Sequence, residues 1–202
     1  MADHRLHCTL IGKQPHIVLR SRMKNTLSQE TLKALLHYDP CTRVFIWKAR
    51  DVWYFSDGAQ TASHNQKIWN SKFAGKMTGS RNSHGYSTIR IFDKLYGAHR
   101  LAWLYMTGEM PEEVDHINLR RDDNAWHNLR AATHVQNSRN CARKKNNKVG
   151  LKGVHVHEPG KWRARIQHHG ETICLGVYNC PAAAYFAYVV GSEIVHGEFA
   201  RA

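Results

Sequence analysis

The feature that most constrains the fold is a strand, loop, strand and helix pattern in the second half of the chain. Residues 113–117 alternate enough to form a short strand, and the polar run 118–127 (NLRRDDNAWH) is predicted to be a loop. A second short strand is predicted at 128–132. Residues 133–136 (THVQ) then have the Ser/Thr-x-x-Gln form of a capping box, which predicts a helix that begins there. The pattern therefore predicts a hairpin beside a helix.

Four side chains of this unit can do chemistry: Asp115, His116, Asn128 and Asn137. Asn137 falls in the first turn of the predicted helix, and the first strand can lie against that turn, so Asp115 and Asn137 could meet. Their oxygens are hard ligands that suit Mg²⁺ or Mn²⁺ better than zinc. With an ordinary pKa of about 6.5, His116 can accept a proton from water at pH 7. The plainer alternative is a satisfied polar pair at a strand end, with the asparagines as turn formers.

Several spaced motifs, in order, resemble the HNH (His-Me finger) nucleases with a ββα-metal site, in particular the phage homing endonucleases. The motifs are HRLAW at 99–103, VDHI at 114–117, NLR at 128–130 and the run 136–140. The resemblance implies that Asp115 and Asn137 hold one Mg²⁺ or Mn²⁺ ion. It also implies that His116 is the general base and that Asn128 braces the loop and orients His116.

The charge of the chain indicates a polyanionic partner. The formal net charge is +13, yet residues 98–137 carry a net charge of −2, and residues 138–152 hold six cations and no acid. Basic segments would draw in nucleic acid, and the acidic centre would hold the cation. We therefore expect double-stranded DNA as the partner. RNA stays open, and the basic run is alternatively a solvated tether.

The pattern divides the chain into a basic N-terminal extension (1–25), a nuclease domain with a leader region (26–140), a basic linker (141–152) and a C-terminal domain (153–202). Within the second segment we expect a helix at 27–37, a strand at 43–48, irregular structure at 50–82, a strand at 86–92 and a helix at 101–107 that Gly108 ends.

The C-terminal domain is predicted to be three short strands, at 153–156, 161–166 and 173–178, followed by a helix at 182–196 with Pro181 in its first turn. Its helix is expected to cover the sheet with Ala183, Phe186, Ala187 and Val190. The motifs Gly153-Val154, Trp162-x-Ala164-x-Ile166, Leu175-Gly176-x-Tyr178, Ala182-Ala183-Ala184-Tyr185 and Gly197 resemble the Apetala-two/ethylene-response-factor DNA-binding domain. That resemblance implies a sheet that enters the major groove with Trp162, Arg163 and Arg165. Two histidines, His155 and His157, stand where that family has arginines, which indicates weaker sequence reading.

Cysteine usage and hydropathy bound the cellular setting. Five widely spaced cysteines, an odd number, favour free thiols in a reducing cytoplasm, that of the host cell if the chain is phage encoded. The longest apolar run, 182–190, is too short to span a bilayer, and the polar N-terminus lacks the apolar core of a secretory signal. We expect neither a membrane partner nor a small-molecule cofactor, and the oligomeric state stays open.

Together these features predict an α+β protein that combines a ββα-metal nuclease unit with a small three-stranded antiparallel sheet packed on one helix. The expected activity is metal-dependent hydrolysis of DNA phosphodiester bonds; the alternative is a DNA-binding regulator on a non-catalytic scaffold. Truncation after about Asn147 is expected to leave a chain that still cuts but binds DNA weakly. His99 either packs beside the hairpin or serves the site. The side chains expected to contact DNA are Arg100, Arg139, Arg143, Lys144, Lys145, Lys148, Trp162, Arg163 and Arg165.

Overall fold

The computed structural model describes residues 27–140 and 147–201; the predicted N-terminal extension and residues 141–146 of the predicted linker lie outside the described residues. The helices are α1 (Gln29–Leu35), α2 (Ala62–Phe73), α3 (Ala98–Thr107), α4 (His134–Arg139) and α5 (Pro181–His196). The strands are β1 (Leu36–Tyr38), β2 (Phe45–Trp47), β3 (Met77–Thr78), β4 (Ser80–Arg81), β5 (Ser87–Ile91), β6 (Lys94–Gly97), β7 (Glu113–His116), β8 (Leu129–Ala132), β9 (Val154–Glu158), β10 (Lys161–His168) and β11 (Glu171–Tyr178). Within these described ranges, no helix has the length and apolar character needed to cross a membrane.

The described strands form four small sheets that alternate with helices along the chain. The sheet orders are β1-β2-β3, β4-β5-β6 and β9-β10-β11, and β7 pairs with β8 as a separate hairpin. Every strand pair in the described residues is antiparallel. This arrangement of helices and small antiparallel sheets agrees with the predicted α+β class.

The larger core carries the β7–β8 hairpin. It joins α1, the first two strands, β5 and α3, with residues of the hairpin at its margin. Its buried members are Leu32, Leu35, Leu36, Tyr38, Phe45, Trp47, Ile89, Ile91, Ala98, Leu101, Ala102, Leu104, Val114 and Leu129. Because side chains of a strand alternate between faces, Val114 and Leu129 turn one face of the hairpin to this core and leave the other face for α4.

The prediction of irregular structure at 50–82 is wrong, because α2 lies within that range. Its sequence is mostly polar, so the apolar period that indicates a helix is weak. The helix is specified instead by its ends and contacts: the Thr61 side chain accepts a hydrogen bond from the His64 backbone N–H, and Trp69 packs against the larger core. Gln66 and Asn70 donate to the Arg50 carbonyl. The helix predicted at 27–37 is also shorter, because its last residues form β1.

The C-terminal unit has its own core and the predicted three strands and helix. Val154, Ala164, Ile166, Ala184 and Tyr188 are buried together. The predicted helix face is wrong in part: Ala187 packs against this core, but Ala183, Phe186 and Val190 are exposed. Phe186, which was expected to cover the sheet, is 70% exposed.

Two glycines explain which face α5 buries. A Cβ at Gly153 would lie 1.9 Å from the Tyr188 ring, and a Cβ at Gly191 would lie 2.7 Å from the Leu175 side chain. Glycine at these two positions lets the helix approach the sheet through Tyr188 and Gly191. This close approach sets the rotation of α5 and leaves the apolar stripe of Ala183, Phe186 and Val190 outside.

Candidate active site

The hairpin and α4 form the predicted strand, loop, strand and helix unit. Asp115 pairs with Arg130 across the hairpin, and His116 pairs with Leu129. The capping box is confirmed in full: the Gln136 backbone N–H donates to the Thr133 hydroxyl, and the Thr133 backbone N–H donates to the Gln136 side chain. This cap fixes where α4 begins and so brings Asn137 and the C-cap residue Asn140 to the hairpin.

Asp115 is a buried, fully engaged carboxylate. The residue is 3% exposed. Asn140 Nδ2 donates to both carboxylate oxygens, at 3.0 and 2.9 Å. Arg130 donates to Oδ2 from Nε at 2.9 Å and from Nη2 at 2.8 Å. A buried acid needs such partners, because an unpaired charge in this setting is strongly unfavourable.

The expectation that Asp115 and Asn137 share one cation stays a prediction; the structure shows two parallel contacts between β7 and the asparagines. Asn137 Nδ2 donates to a carboxylate oxygen of Glu113, while Asn140, one turn later, reaches Asp115. Glu113 and Asp115 are two residues apart in β7 and so lie on the same face. The sequence pointed to this face of the hairpin; Arg130 and Asn140 were in the recognised motifs without an assigned role, and Glu113 was not singled out. The spacing of Asn137 and Asn140 on one helix face was the available signal.

His116 is the last residue of β7 and is 5% exposed. Its Nε2 lies 3.1 Å from Asn124 Oδ1. The Asn124 amide nitrogen donates to the Asp122 carbonyl at 3.4 Å, which places the amide oxygen towards the ring, and an Nε2–H tautomer of His116 satisfies this contact. Nδ1 is then the nitrogen that can accept a proton. Burial holds the pKa of His116 below its usual range, against the Asn124 contact and nearby aspartates, which raise it.

Asn124 orients His116, and it is held in turn by the leader region. The Tyr38 hydroxyl donates to the Asn124 carbonyl at 2.6 Å in a buried contact. Asn128 has the bracing part of its expected role: its Oδ1 accepts from the Asn118 backbone N–H at 3.0 Å, and its Nδ2 donates to the Asp123 carbonyl at 2.7 Å. Asn128 therefore closes the loop, while Asn124 contacts the histidine. Sequence reasoning missed Asn124 among the many polar residues of the loop.

His99 packs beside His116 with their ring centroids 5.1 Å apart. Burial, then the charges of His116 and Arg100, lowers the pKa of His99 to about 3, so the ring is neutral at pH 7. The Arg100 guanidinium donates to the Glu112 and Pro111 carbonyls at 3.0 and 3.2 Å. In this structure Arg100 thus fastens the segment that leads into β7.

The residues expected to contact DNA have different surroundings. Arg139, Lys148 and Arg165 line one cavity of about 1000 Å³ between α4 and the C-terminal unit, and no acidic residue is among its described lining residues. Trp162 packs against the core of the C-terminal unit. Arg163 Nη2 lies 2.7 Å from Nδ1 of the His157 ring. Arg143, Lys144 and Lys145 lie outside the described residues.

The donors beside α4 fit a hard divalent cation. They are the carboxylates of Asp115 and Glu113 and the amide oxygen of Asn137, the oxygen ligands that Mg²⁺ and Mn²⁺ prefer. Asp115 Oδ1 accepts one hydrogen bond in the structure, from Asn140, and a carboxylate oxygen has a second acceptor position. Nowhere in the described ranges do three or more His, Cys, Asp or Glu residues gather as a metal site. The proposed set of ligands therefore has two carboxylates and needs the amide oxygen of Asn137 as its third member.

Comparison with known proteins identifies this same unit. Residues 96–139 match the family model described as HNH endonuclease. The matched range begins within β6 and ends with α4, so it includes α3, the hairpin and the loop that holds His116. No curated protein and no solved structure matches the chain. The match supports a nuclease of the HNH type and, through it, a DNA substrate.

Proposed function

We propose that this protein is a metal-dependent DNA endonuclease with a ββα-metal active site. The observation that carries the proposal is the neutral, buried His116, oriented by Asn124 and adjacent in sequence to Asp115, inside the range that matches the HNH endonuclease model. A homing-type role, as in the phage enzymes that the sequence resembles, and a cytoplasmic location stay predictions.

In the proposed mechanism, His116 activates water, and the residues beside α4 would hold a cation next to the scissile phosphate. Asp115 and Asn137 would hold the cation, with Glu113 beside them. A Mg²⁺ or Mn²⁺ ion held there would supply positive charge beside the scissile phosphate and the leaving oxygen. His116 Nδ1 takes a proton from the attacking water, and the Asn124 contact keeps the proton on Nε2 so that Nδ1 stays basic. Asn128 keeps the loop closed around this histidine.

The C-terminal sheet and the cavity beside it are proposed to bind the DNA. Arg163 and Arg165 lie on the sheet face opposite the helix, since the alternate residues Ala164 and Ile166 are buried against α5. Arg139, Lys148 and Arg165 give the cavity a positive lining. A DNA strand that leaves the hairpin along α4 would meet these cations, which suit phosphate contacts.

A second candidate is a DNA-binding regulator on the same scaffold. It is favoured by the contacts that Asp115 already makes, since Asn140 and Arg130 both donate to Oδ2 and Asn140 also donates to Oδ1. The two candidates share DNA binding and differ in cleavage.

Cleavage of supercoiled plasmid DNA by the full chain separates these candidates. We expect nicked or linear product with Mg²⁺ or Mn²⁺ and none with excess EDTA, because the reaction needs the cation. Gel electrophoresis of a time course gives the rates. Uncut plasmid in the presence of either cation, with DNA still bound in a mobility-shift assay, would favour the regulator. Undiminished cutting in EDTA would remove the metal from the mechanism.

Salt dependence tests the proposed DNA contacts. Arg139→Ala, Lys148→Ala and Arg165→Ala should each flatten the plot of log affinity against log salt by about 0.9 for each phosphate contact that is lost. The measurement is fluorescence anisotropy with a DNA duplex at several salt concentrations. Lys161→Ala is the matched control, because Lys161 is on β10 with Arg165 but forms an ion pair with Glu158 at 2.7 Å. Unchanged slopes in all three variants would contradict the cavity as a backbone site.

A further inference from the structure

Arg130 connects the proposed cation ligand to the C-terminal end of the chain. Nε and Nη2 of Arg130 contact Asp115 Oδ2, and Nη1 donates to the Glu198 carbonyl. The guanidinium carbon lies 3.8 Å from the centre of the Phe199 ring. Glu198 and Phe199 belong to the single turn of 3₁₀ helix, Gly197–Phe199, that follows α5. Arg130 therefore bridges the nuclease hairpin and the C-terminal unit.

The Arg130–Asp115 pair and the Phe199 ring are shielded from water, whereas Glu198 is exposed. The Arg130 side chain is 12% exposed and the Asp115 side chain 4%, while Phe199 is 4% exposed as a residue. A guanidinium on an aromatic face is stabilised by the ring, and the Glu198 carbonyl fixes the direction of the third nitrogen. Phe199 and the Glu198 carbonyl thus hold the guanidinium in the position from which it donates twice to one oxygen of Asp115.

The Arg130 guanidinium, which contacts Asp115, disfavours the binding of a metal cation to the same carboxylate. Two like charges a few ångströms apart repel, and the repulsion is screened least where water is excluded. The carboxylate that the proposed function needs as a ligand is therefore partly neutralised by Arg130. Any loosening of Arg130 would expose more of the negative charge to a metal ion.

We propose that Arg130 is a positioning residue that sets the divalent-cation affinity of Asp115, and that the turn containing Phe199 controls how firmly Arg130 does so. The proposal rests on the proposed function, since it concerns the same cation site. It makes the C-terminal unit part of the nuclease site. The expectation that a chain truncated after about Asn147 still cuts gains a second part: such a truncation also changes cation binding.

Titration of the full chain with Mn²⁺ tests this proposal without reference to activity. Free Mn²⁺ is followed by electron paramagnetic resonance, and the Mn²⁺-dependent rise in melting temperature is recorded. Arg130→Gln should bind Mn²⁺ about tenfold more tightly than the wild type, because a charge beside the ligand is lost. Arg130→Lys, which keeps the charge, should stay near the wild type. Phe199→Ala should tighten binding by a smaller factor and keeps the test valid if Arg130→Gln does not fold.

Arg120→Gln is the matched control, because Arg120 is an exposed arginine of the β7–β8 loop and the substitution removes the same charge. Its Mn²⁺ affinity should equal that of the wild type. Equal or weaker binding by both Arg130→Gln and Phe199→Ala, in a chain whose wild type binds Mn²⁺, would overturn the role of Arg130 and leave the proposed function standing. A wild type and variants that all fail to bind Mn²⁺ would overturn both.

Discussion

Replacement of His116 by alanine should lower the rate of DNA cleavage by about 10²–10⁴-fold, the usual contribution of a general base. DNA affinity should change little, because His116 is 5% exposed and makes no large contribution to the surface. Rates on supercoiled plasmid and affinities from mobility shifts measure the two effects separately. The melting temperature of the variant is recorded in parallel, since a buried ring is removed.

His127→Ala is the matched control for this substitution, because His127 lies in the turn before β8 and is exposed. Its cleavage rate should equal that of the wild type. The pH profile gives a second arm: burial keeps the pKa of His116 below its usual value of about 6.5, so the base stays neutral through pH 7. The rate should be level at neutral pH and fall only as protonation begins below about 6.5. A folded His116→Ala variant that keeps more than about a tenth of the rate would exclude the general-base role.

Local sequence signals predicted the centre of the fold well. The capping box at Thr133, the alternation of residues 113–117 and the polar loop each depend on a few neighbouring residues, and the structure has a helix, a strand and a loop at those places. Gly108, which was expected to end α3, has the left-handed conformation that such a cap needs. These features follow from backbone geometry, which nearby residues determine.

Long-range contacts explain what the sequence did not predict. The partner of His116 is Asn124, whose position depends on Tyr38, far away in the leader region. The covering face of α5 depends on the absence of a Cβ at Gly153 in another element. Arg130 was part of a recognised motif, but its contact with Phe199 depends on how the C-terminal unit docks. None of these pairings has a local spacing that reveals it.

The ion pair between Asp115 and Arg130 should have a large and separable effect on stability. Asp115→Asn or Arg130→Gln alone should lower the free energy of unfolding by about 3–5 kcal/mol, because each leaves the other charge buried without its partner. The double variant should recover much of that loss, since two neutral amides can hydrogen-bond to each other. Urea denaturation of the four proteins measures the coupling. Glu158→Gln is the control: Glu158 and Lys161 form an exposed pair, with both side chains 49% exposed, and its loss should cost less than about 1 kcal/mol.

Cleavage by the same four proteins distinguishes a structural carboxylate from a cation ligand. If Asp115 only balances Arg130, then the double variant, with its stability recovered, should cut plasmid as the wild type does. If Asp115 holds the cation, both Asp115→Asn and the double variant should be inactive, because an amide binds a divalent cation much more weakly than a carboxylate does. Arg130→Gln, which keeps the carboxylate, should still cut. We expect this second pattern, in which stability returns with the second substitution and cleavage does not. A double variant that cuts at the wild-type rate would make Asp115 a purely structural residue and would leave His116 to act without the proposed metal ligand.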